Sequence, residues 1–350
     1  MNYLILQHPG HNRVYYNTAA PIALAELTIA VQKLSAVCQQ PNIILLEGIR
    51  YLSFETDREL TEVDLQLLSR LSFVFAMYIL EKQFDKKVLI PIKKVDYEYV
   101  DSKISSLLKY KGKTNELFTK TMINVAVLSS TFNPLEKIQM LDPVAGKGTT
   151  LFEGTVYGYD AFGIEIEPKS VSEAVLFFKK YLEAERLKHN SNKRQLYGAT
   201  KAAAITIQEF TYARNKEEFK LEEIIKKWGI VCGNAQDAFN YFKKERFHII
   251  VGDLPYGISH GNAADKKYTS KTRNPAAFLS ECLPEWNKVL KTGGCIVVAW
   301  NVFVVSKEKL TTLFNANGFK VLSKSPYNSF EHRVDQSIKR DLIVAIKEEL

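Results

Sequence analysis

An α/β protein whose larger part is an open, mostly parallel sheet, preceded by a smaller α+β unit, is the fold class this sequence predicts. From about residue 114 onward, short apolar runs alternate with amphipathic helical stretches, the pattern of a parallel sheet covered by helices on both faces. Before that point the runs read strand, helix, strand, strand, helix, strand. A length of 350 residues, with 46% hydrophobic and 25% charged content, leaves room for two domains in an ordinary soluble chain.

The elements follow in chain order. Residues 3–7 form a strand, and 19–37 are Ala- and Leu-rich with helical spacing. Two strands, 43–47 and 51–55, flank a turn at Gly48, and 60–71 is a helix with Thr61 as its cap. A strand at 73–80 completes a βαββαβ order, the ferredoxin-like pattern. That unit can equally be purely structural or dimerising, because fold does not fix function. Residues 86–99 form a connecting strand or a linker, and the join falls at KYKGK, 109–113, dividing the chain into 1–110 and 111–350. A leading helix at 114–128 precedes seven strands, at 139–141, 161–166, 229–232, 247–251, 294–300, 320–324 and 342–346. Residues 190–222 exceed the usual helix-to-strand connection and read as an insertion.

Open sheets of this kind bind ligands at the carboxyl ends of their strands, where the motifs of this chain lie. The strand at 139–141 runs into DPVAGKGT, in which Asp142 supplies a carboxylate, Gly146 and Gly148 admit a close ligand, and the helix from Thr149 aims free N–H groups at an anion. The G-x-G-x-x-G spacing and the P-loop pattern are both absent. Lys147 reads as solvated. About 20 residues on, GIEIEP places Glu165 where an acidic side chain holds ribose hydroxyls, with Glu167 the alternative. CGNAQD, 232–237, follows the third strand; Asn234 or Asp237 can accept from an adenine amino group, and either can instead cap a helix.

The stretch FHIIVGDLPYG, 247–257, is a buried strand that stops at Asp-Leu-Pro-Tyr. The Asp253 carboxylate and the Leu254 carbonyl beside Pro255 can both accept hydrogen bonds from an NH2 group, while Tyr256 can stack on the ring that carries it. An aromatic amine attacks poorly until such acceptors draw its lone pair out of the ring. Stacking on a flipped-out base contributes about 1–3 kcal/mol. Beyond this stretch, Gly257, His260 and Arg273, with Lys266, Lys267, Tyr268 and Lys271 around them, suit a substrate lip that touches base and phosphate. Asn301, at the end of the next strand, points toward the same region or caps the following helix.

In this order, D-P-V-A-G-K-G-T, G-I-E-I-E-P and D-L-P-Y-G resemble the successive motifs of class I S-adenosylmethionine-dependent methyltransferases, over roughly residues 114–350. The last is similar to the [DN]-P-P-[YF] signature of amino-methylating enzymes, and its D-L-P-[YF]-G form resembles the THUMP-associated RNA guanine-N2 methyltransferases. The resemblance implies a Rossmann-like fold and S-adenosylmethionine as cofactor. It implies cofactor contacts at Asp142, Pro143, Ala145, Gly146, Gly148, Thr149, Glu165, Ile166, Asn234 and Ala235, and chemistry at Asp253, Leu254, Pro255 and Tyr256. Two departures stand out: the space before Thr114 is too short for a complete THUMP module in addition to the first unit, and Leu254 replaces the commoner proline.

A net charge of +8 and a pI near 9.0 favour a polyanionic partner. The expected partner is RNA, most of all tRNA; a further activating protein is left open. Lys193 and Arg194 are candidate phosphate contacts in a region whose interleaved glutamates make a solvated surface the default. The four cysteines, Cys38, Cys232, Cys282 and Cys295, form no C-x-x-C pair, so neither a metal site nor a disulfide framework is expected and a reducing cytoplasm is the simplest compartment. The longest apolar run, 71–80, is about half of the roughly 20 residues a membrane span needs. The competing functions are a DNA adenine-N6 or cytosine-N4 methyltransferase, which needs a target-reading domain not evident here, and a non-catalytic nucleic-acid-binding protein on the same scaffold.

Overall fold

The computed structural model describes residues 1–9, 13–110, 112–197, 204–254 and 275–349. Its first sheet is built from β1 (Asn2–Gln7), α1 (Arg13–Ala30), β2 (Asn42–Leu46), β3 (Ile49–Glu55), α2 (Glu62–Ser69), β4 (Val74–Gln83) and β5 (Lys86–Ile92). Glu47 and Gly48, with φ of 49° and 80°, make the two-residue left-handed turn that suits the twist of a hairpin between β2 and β3. Thr61 and Asp64 form a capping box at the start of α2. The strands lie in the order β2-β3-β1-β4-β5, every neighbour antiparallel. Residues read from sequence as a connecting strand or linker therefore contribute the edge strand β5.

The larger sheet follows α3 (Lys103–Leu107) and α4 (Glu116–Ser129), the latter capped by the Asn115 side chain. Its elements are β6 (Gln139–Asp142), α5 (Thr149–Val156), β7 (Asp160–Glu165), α6 (Pro168–Ala184), β8 (Lys188–Tyr197), β9 (Ala204–Ala213), β10 (Lys226–Cys232), α7 (Ala238–Tyr241) and β11 (Phe247–Asp253). They continue with α8 (Pro275–Val289), β12 (Leu290–Asn301), α9 (Lys307–Ala316), β13 (Phe319–Val321), β14 (His332–Arg333) and β15 (Lys339–Lys347). The order is β13-β15-β12-β11-β6-β7-β10-β9-β8, with β14 paired to β15. Strands β12, β11, β6, β7 and β10 run parallel, and β15 and β9 flank them antiparallel.

Among the described residues this sheet has ten strands rather than the seven expected. The stretch expected to be an insertion supplies two of the extra ones, the β8–β9 hairpin, which lengthens the sheet beyond β10. In β9 the large apolar side chains Ile207, Phe210 and Tyr212 are buried, whereas β8 is an edge strand of Lys, His, Asn and Ser. A polar edge guards against further pairing and carries no apolar alternation by which to recognise it.

Two cores cover the two faces. Phe118 of α4, Leu151 of α5 and Phe178 of α6 lie in one, and Trp286 of α8 and Leu310 of α9 in the other. The first core continues into the N-terminal sheet through Leu27, Leu68 and Phe73, so α4 is covered by the sheet on one side and by α1 on the other. Buried polar contacts fasten that junction. Asn124 of α4 donates to Glu26 Oε1 (2.7 Å) and to the Arg70 carbonyl (3.0 Å), Tyr157 donates to the same carbonyl (2.8 Å), and Arg70 donates to the Tyr159 hydroxyl (2.8 Å).

Candidate active site

The turn after β6 is shaped by two left-handed glycines, Gly146 (φ 53°) and Gly148 (φ 89°), and Gly148 caps α5. A Cβ on Gly146 would meet nothing within 4 Å, so the turn presents bare backbone to open space. The turn also lies directly on β7: Ala145 N–H donates to the Ile164 carbonyl (2.9 Å), and a Cβ on Gly163 would stand 2.7 Å from Ala145 Cβ. Asp142 is buried, with Oδ1 accepting from Val144 N–H (2.9 Å). Burial pushes its carboxyl up to about 7, with the negative charges of Asp253 and Glu165 adding to the effect. Pro143 Cδ lies beside β11, 3.6 Å from where a Cβ on Gly252 would be.

Glu165 closes the turn from β7. Its Oε2 accepts from Gly146 N–H (2.9 Å) and its Oε1 from Glu167 N–H (2.7 Å), and burial raises its pKa. A carboxylate has about four acceptor positions, so both oxygens retain capacity for ligand hydroxyls. Ile166 beside it is exposed. Glu167 is itself held in a contact with Ser170 and starts α6, which favours Glu165 as the inward group. Lys147 pairs with Glu173 and lies over the Tyr110 ring, 5.2 Å from its centre.

At the end of β10, Cys232 lies level with Glu165, and Gly233 N–H donates to the Glu165 carbonyl (3.0 Å). Asn234 caps the short turn that follows, its Oδ1 accepting from Gln236 N–H at 3.2 Å. Of the two sequence readings of Asn234, the capping one describes what its side-chain oxygen does. Asp237 accepts from the Tyr241 hydroxyl (3.4 Å), and the Ala235 carbonyl accepts from the Trp286 indole (3.0 Å).

Asp253 ends β11 beside this turn. A Cβ on Gly252 would approach Val144 Cγ2 to 3.1 Å and Asp142 Oδ1 to 3.7 Å, so the two strand ends abut. Asp253 Oδ2 accepts from the Thr114 hydroxyl and faces Arg340 Nη2 at 3.2 Å. Burial raises the Asp253 pKa, while the Arg340 charge, the Thr114 hydrogen bond and His332 act against it. Leu254 is buried and donates its N–H to the Ala299 carbonyl (3.0 Å). Pro255, Tyr256, Gly257, His260 and Arg273 lie outside the described residues.

Asn301 is brought to the end of β12, but its amide is engaged locally. Its oxygen accepts from Phe303 and Lys339 N–H groups (both 3.2 Å), and its nitrogen donates to the Ser337 carbonyl (3.1 Å). It fastens β12 to the turn before β15 and does not cap a helix. Thr149 shares a hydrogen bond with the Tyr110 hydroxyl (2.8 Å). Sequence reading passed over Tyr110, Thr114, His332 and Arg340. The one available signal was an arginine inside KRDLIVAIK, where a charge in a strand otherwise suited to burial asks for a partner.

Among the described residues, no group of three or more His, Cys, Asp or Glu side chains can hold a metal ion, and no helix is long and apolar enough to cross a membrane. The donor set instead comprises a buried carboxylate at Asp142 and a half-buried one at Glu165 beside a glycine turn open to a ligand. That set fits a cationic ligand bearing hydroxyls, as S-adenosylmethionine is.

No protein of curated function matches the sequence. Among solved structures, TrmN from Thermus thermophilus is similar over 77% of this chain at 11% identity and a TM-score of 0.40; the match spans 58% of that protein, less than two thirds of it. The fibrillarin pre-rRNA processing protein of Methanococcus jannaschii is similar over 89% of this chain and 100% of its own, at 13% identity and a TM-score of 0.35. Magnesium protoporphyrin IX methyltransferase (ChlM) from Synechocystis PCC 6803, solved with bound cofactor, covers 68% of this chain and 87% of its own, at 11% identity and a TM-score of 0.37. The family model described as RMKL-like, methyltransferase domain (UPF0020) matches residues 121–326, more than half of the chain and the part that carries the glycine turn, Glu165 and Asp253. The protein therefore belongs to this family of class I S-adenosylmethionine-dependent methyltransferases.

Proposed function

We propose that the protein methylates an exocyclic base amine in RNA, with guanosine N2 of tRNA as the target its Asp-Leu-Pro-Tyr-Gly segment resembles most. The observation that carries this reading is the carboxylate of Asp253, held at a strand end that abuts the cofactor turn. In this reading Asp142, Ala145, Gly146, Gly148, Thr149 and Glu165 hold S-adenosylmethionine, with Pro143, Ile166, Asn234 and Ala235 around them. The bound cofactor supplies an electrophilic methyl group on a sulfonium.

The protein's own contribution is to orient and to accept. Asp253 and the Leu254 carbonyl take hydrogen bonds from the amine and bring its lone pair out of conjugation, and most of the rate gain comes from alignment. Tyr256 would stack on the base, Gly257, His260 and Arg273 would line its approach, and Asn301 would shape the wall behind. The +8 net charge supports a polyanionic substrate. The antiparallel order β2-β3-β1-β4 with βαββαβ connectivity supports a ferredoxin-like unit over 1–110 that helps hold RNA, ahead of a methyltransferase unit over 111–350. A cytoplasmic location fits tRNA as substrate.

The test is incubation with unmodified tRNA and methyl-labelled cofactor, followed by mass spectrometry of the nucleosides. N2-methylguanosine is expected. Label found in duplex DNA instead, or absent from every nucleic acid although the cofactor binds, would refute it.

A further inference from the structure

Arg340 reaches Asp253 across an intervening strand. Asp253 lies level with Ala299 of β12, and Ala299 with Leu342 of β15; Arg340 precedes Leu342 by two residues and so shares its face of the sheet. That face is covered by α4, whose Phe118 ring lies 5.4 Å from the Arg340 guanidinium and 4.6 Å from the His332 ring. The guanidinium is thus buried, and it meets the same oxygen, Oδ2, that accepts from Thr114 just before α4. Among the described residues, groups from four elements face the carboxylate: β15 with Arg340, the segment before α4 with Thr114 and Tyr110, β14 with His332, and β6 with Asp142.

We propose that Arg340 is a positioning residue for methyl transfer: with Thr114 it clamps the Oδ2 edge of Asp253 and keeps that side chain the acceptor-only group the reacting amine needs. The inference rests on the reading of Asp253 as the amine's acceptor. A protonated carboxyl carries an O–H donor that would compete with the NH2 group, whereas a carboxylate only accepts. Burial favours protonation. His332 is the weaker opposing charge, because burial lowers its own pKa, and its Nδ1 lies 2.9 Å from the Phe330 carbonyl. The Arg340 guanidinium, 3.2 Å from Oδ2, is the stronger one.

The clamp also decides the fate of the proton. A carboxylate already engaged by a guanidinium and a hydroxyl is a weak base. The nitrogen takes the methyl carbon, the pair of the broken carbon–sulfur bond is left on sulfur, and the proton from nitrogen passes to water rather than resting on Asp253.

The measurement is carboxyl 13C NMR titration of aspartate-labelled full-length protein, with the Asp253 resonance assigned by its loss in Asp253→Asn. Arg340→Gln is expected to raise the Asp253 midpoint by roughly 1–3 pH units, the effect of losing an opposite charge at contact. The acid limb of tRNA methylation, measured at saturating cofactor, should move up with it and activity return at high pH. Arg340→Lys should restore most of the midpoint. Should Arg340→Gln not fold, Thr114→Val tests the same clamp and should shift midpoint and acid limb upward together. An unmoved midpoint, or a rate lowered equally at every pH, overturns the proposal. Full activity in Asp253→Ala would instead overturn the acceptor reading beneath it, and the two failures are therefore distinguishable.

Discussion

Cofactor affinity should depend on pH through Asp142, and the structure sets the size of the effect. The perturbation is a pH change in the range 5 to 7, compared between the wild type and Asp142→Asn. Burial pushes the Asp142 carboxyl up to about 7, so in the free protein it is about half ionised at neutral pH. A cationic ligand beside it favours the ionised form, and binding then requires loss of whatever proton is present. With a midpoint of about 7, the dissociation constant should rise about fivefold from pH 7 to pH 6 and about ninefold more to pH 5. The cofactor's own amine, with an α-amino pKa of about 7.7–8.0, stays protonated across this range and does not blur the slope.

The sign for stability is opposite. A carboxyl whose folded pKa is raised contributes stability present below its unfolded value, about 3.8, and lost as pH rises through about 7. Asp142→Asn should therefore raise the melting temperature of the cofactor-free protein at pH 8 and change it little at pH 4, while flattening the binding profile. Calorimetric titration in two buffers of different ionisation enthalpy gives both the constant and the protons released, about half a proton per cofactor at pH 7. A flat wild-type profile, or the same slope retained in Asp142→Asn, would refute the reasoning.

Asp253→Ala should abolish methyl transfer to tRNA, seen by nucleoside mass spectrometry, with cofactor affinity changed less than a few fold, because Asp142 and Glu165 remain in place. In Gly163→Ala the added Cβ, 2.7 Å from Ala145 Cβ and 2.9 Å from Leu151 Cδ1, must lift the glycine turn off β7; a cost of about 1–3 kcal/mol in chemical denaturation and, on the proposed reading, weakened cofactor binding are expected. Asn124→Ala removes two donors at the junction of the sheets and leaves the buried Glu26 and the Arg70 carbonyl short of partners. It should cost about 1–3 kcal/mol by the same measurement, with cofactor affinity unaffected.

The parallel core of the larger sheet was legible because each strand, such as residues 247–251, is a short apolar run bounded by turn residues, and burial on both faces permits little else. The glycine turn was legible for a related reason: left-handed backbone at 146 and 148 demands glycine, so the geometry is written into residue type. Asp142, Glu165 and Asp253 were legible as strand-end carboxylates because a strand end can be read from a one-dimensional pattern, and strand ends are where such sheets bind ligands. The β8 edge strand was not, since its pairing with β9 depends on backbone hydrogen bonds that any polar sequence can make. Nor was the engagement of Asn301, whose three partners are backbone groups.

By itself, then, the sequence determined which residue types stand at each strand end, and with them the family and its cofactor. Only the tertiary structure decided what surrounds Asp253. Thr114 and Arg340, separated from it by 139 and 87 positions along the chain, reach one carboxylate oxygen because β12 and β15 are neighbours and α4 closes over them. Local periodicity reports the burial of a side chain, but which distant charge shares that burial depends on strand order, and strand order is settled by the packing of the whole sheet.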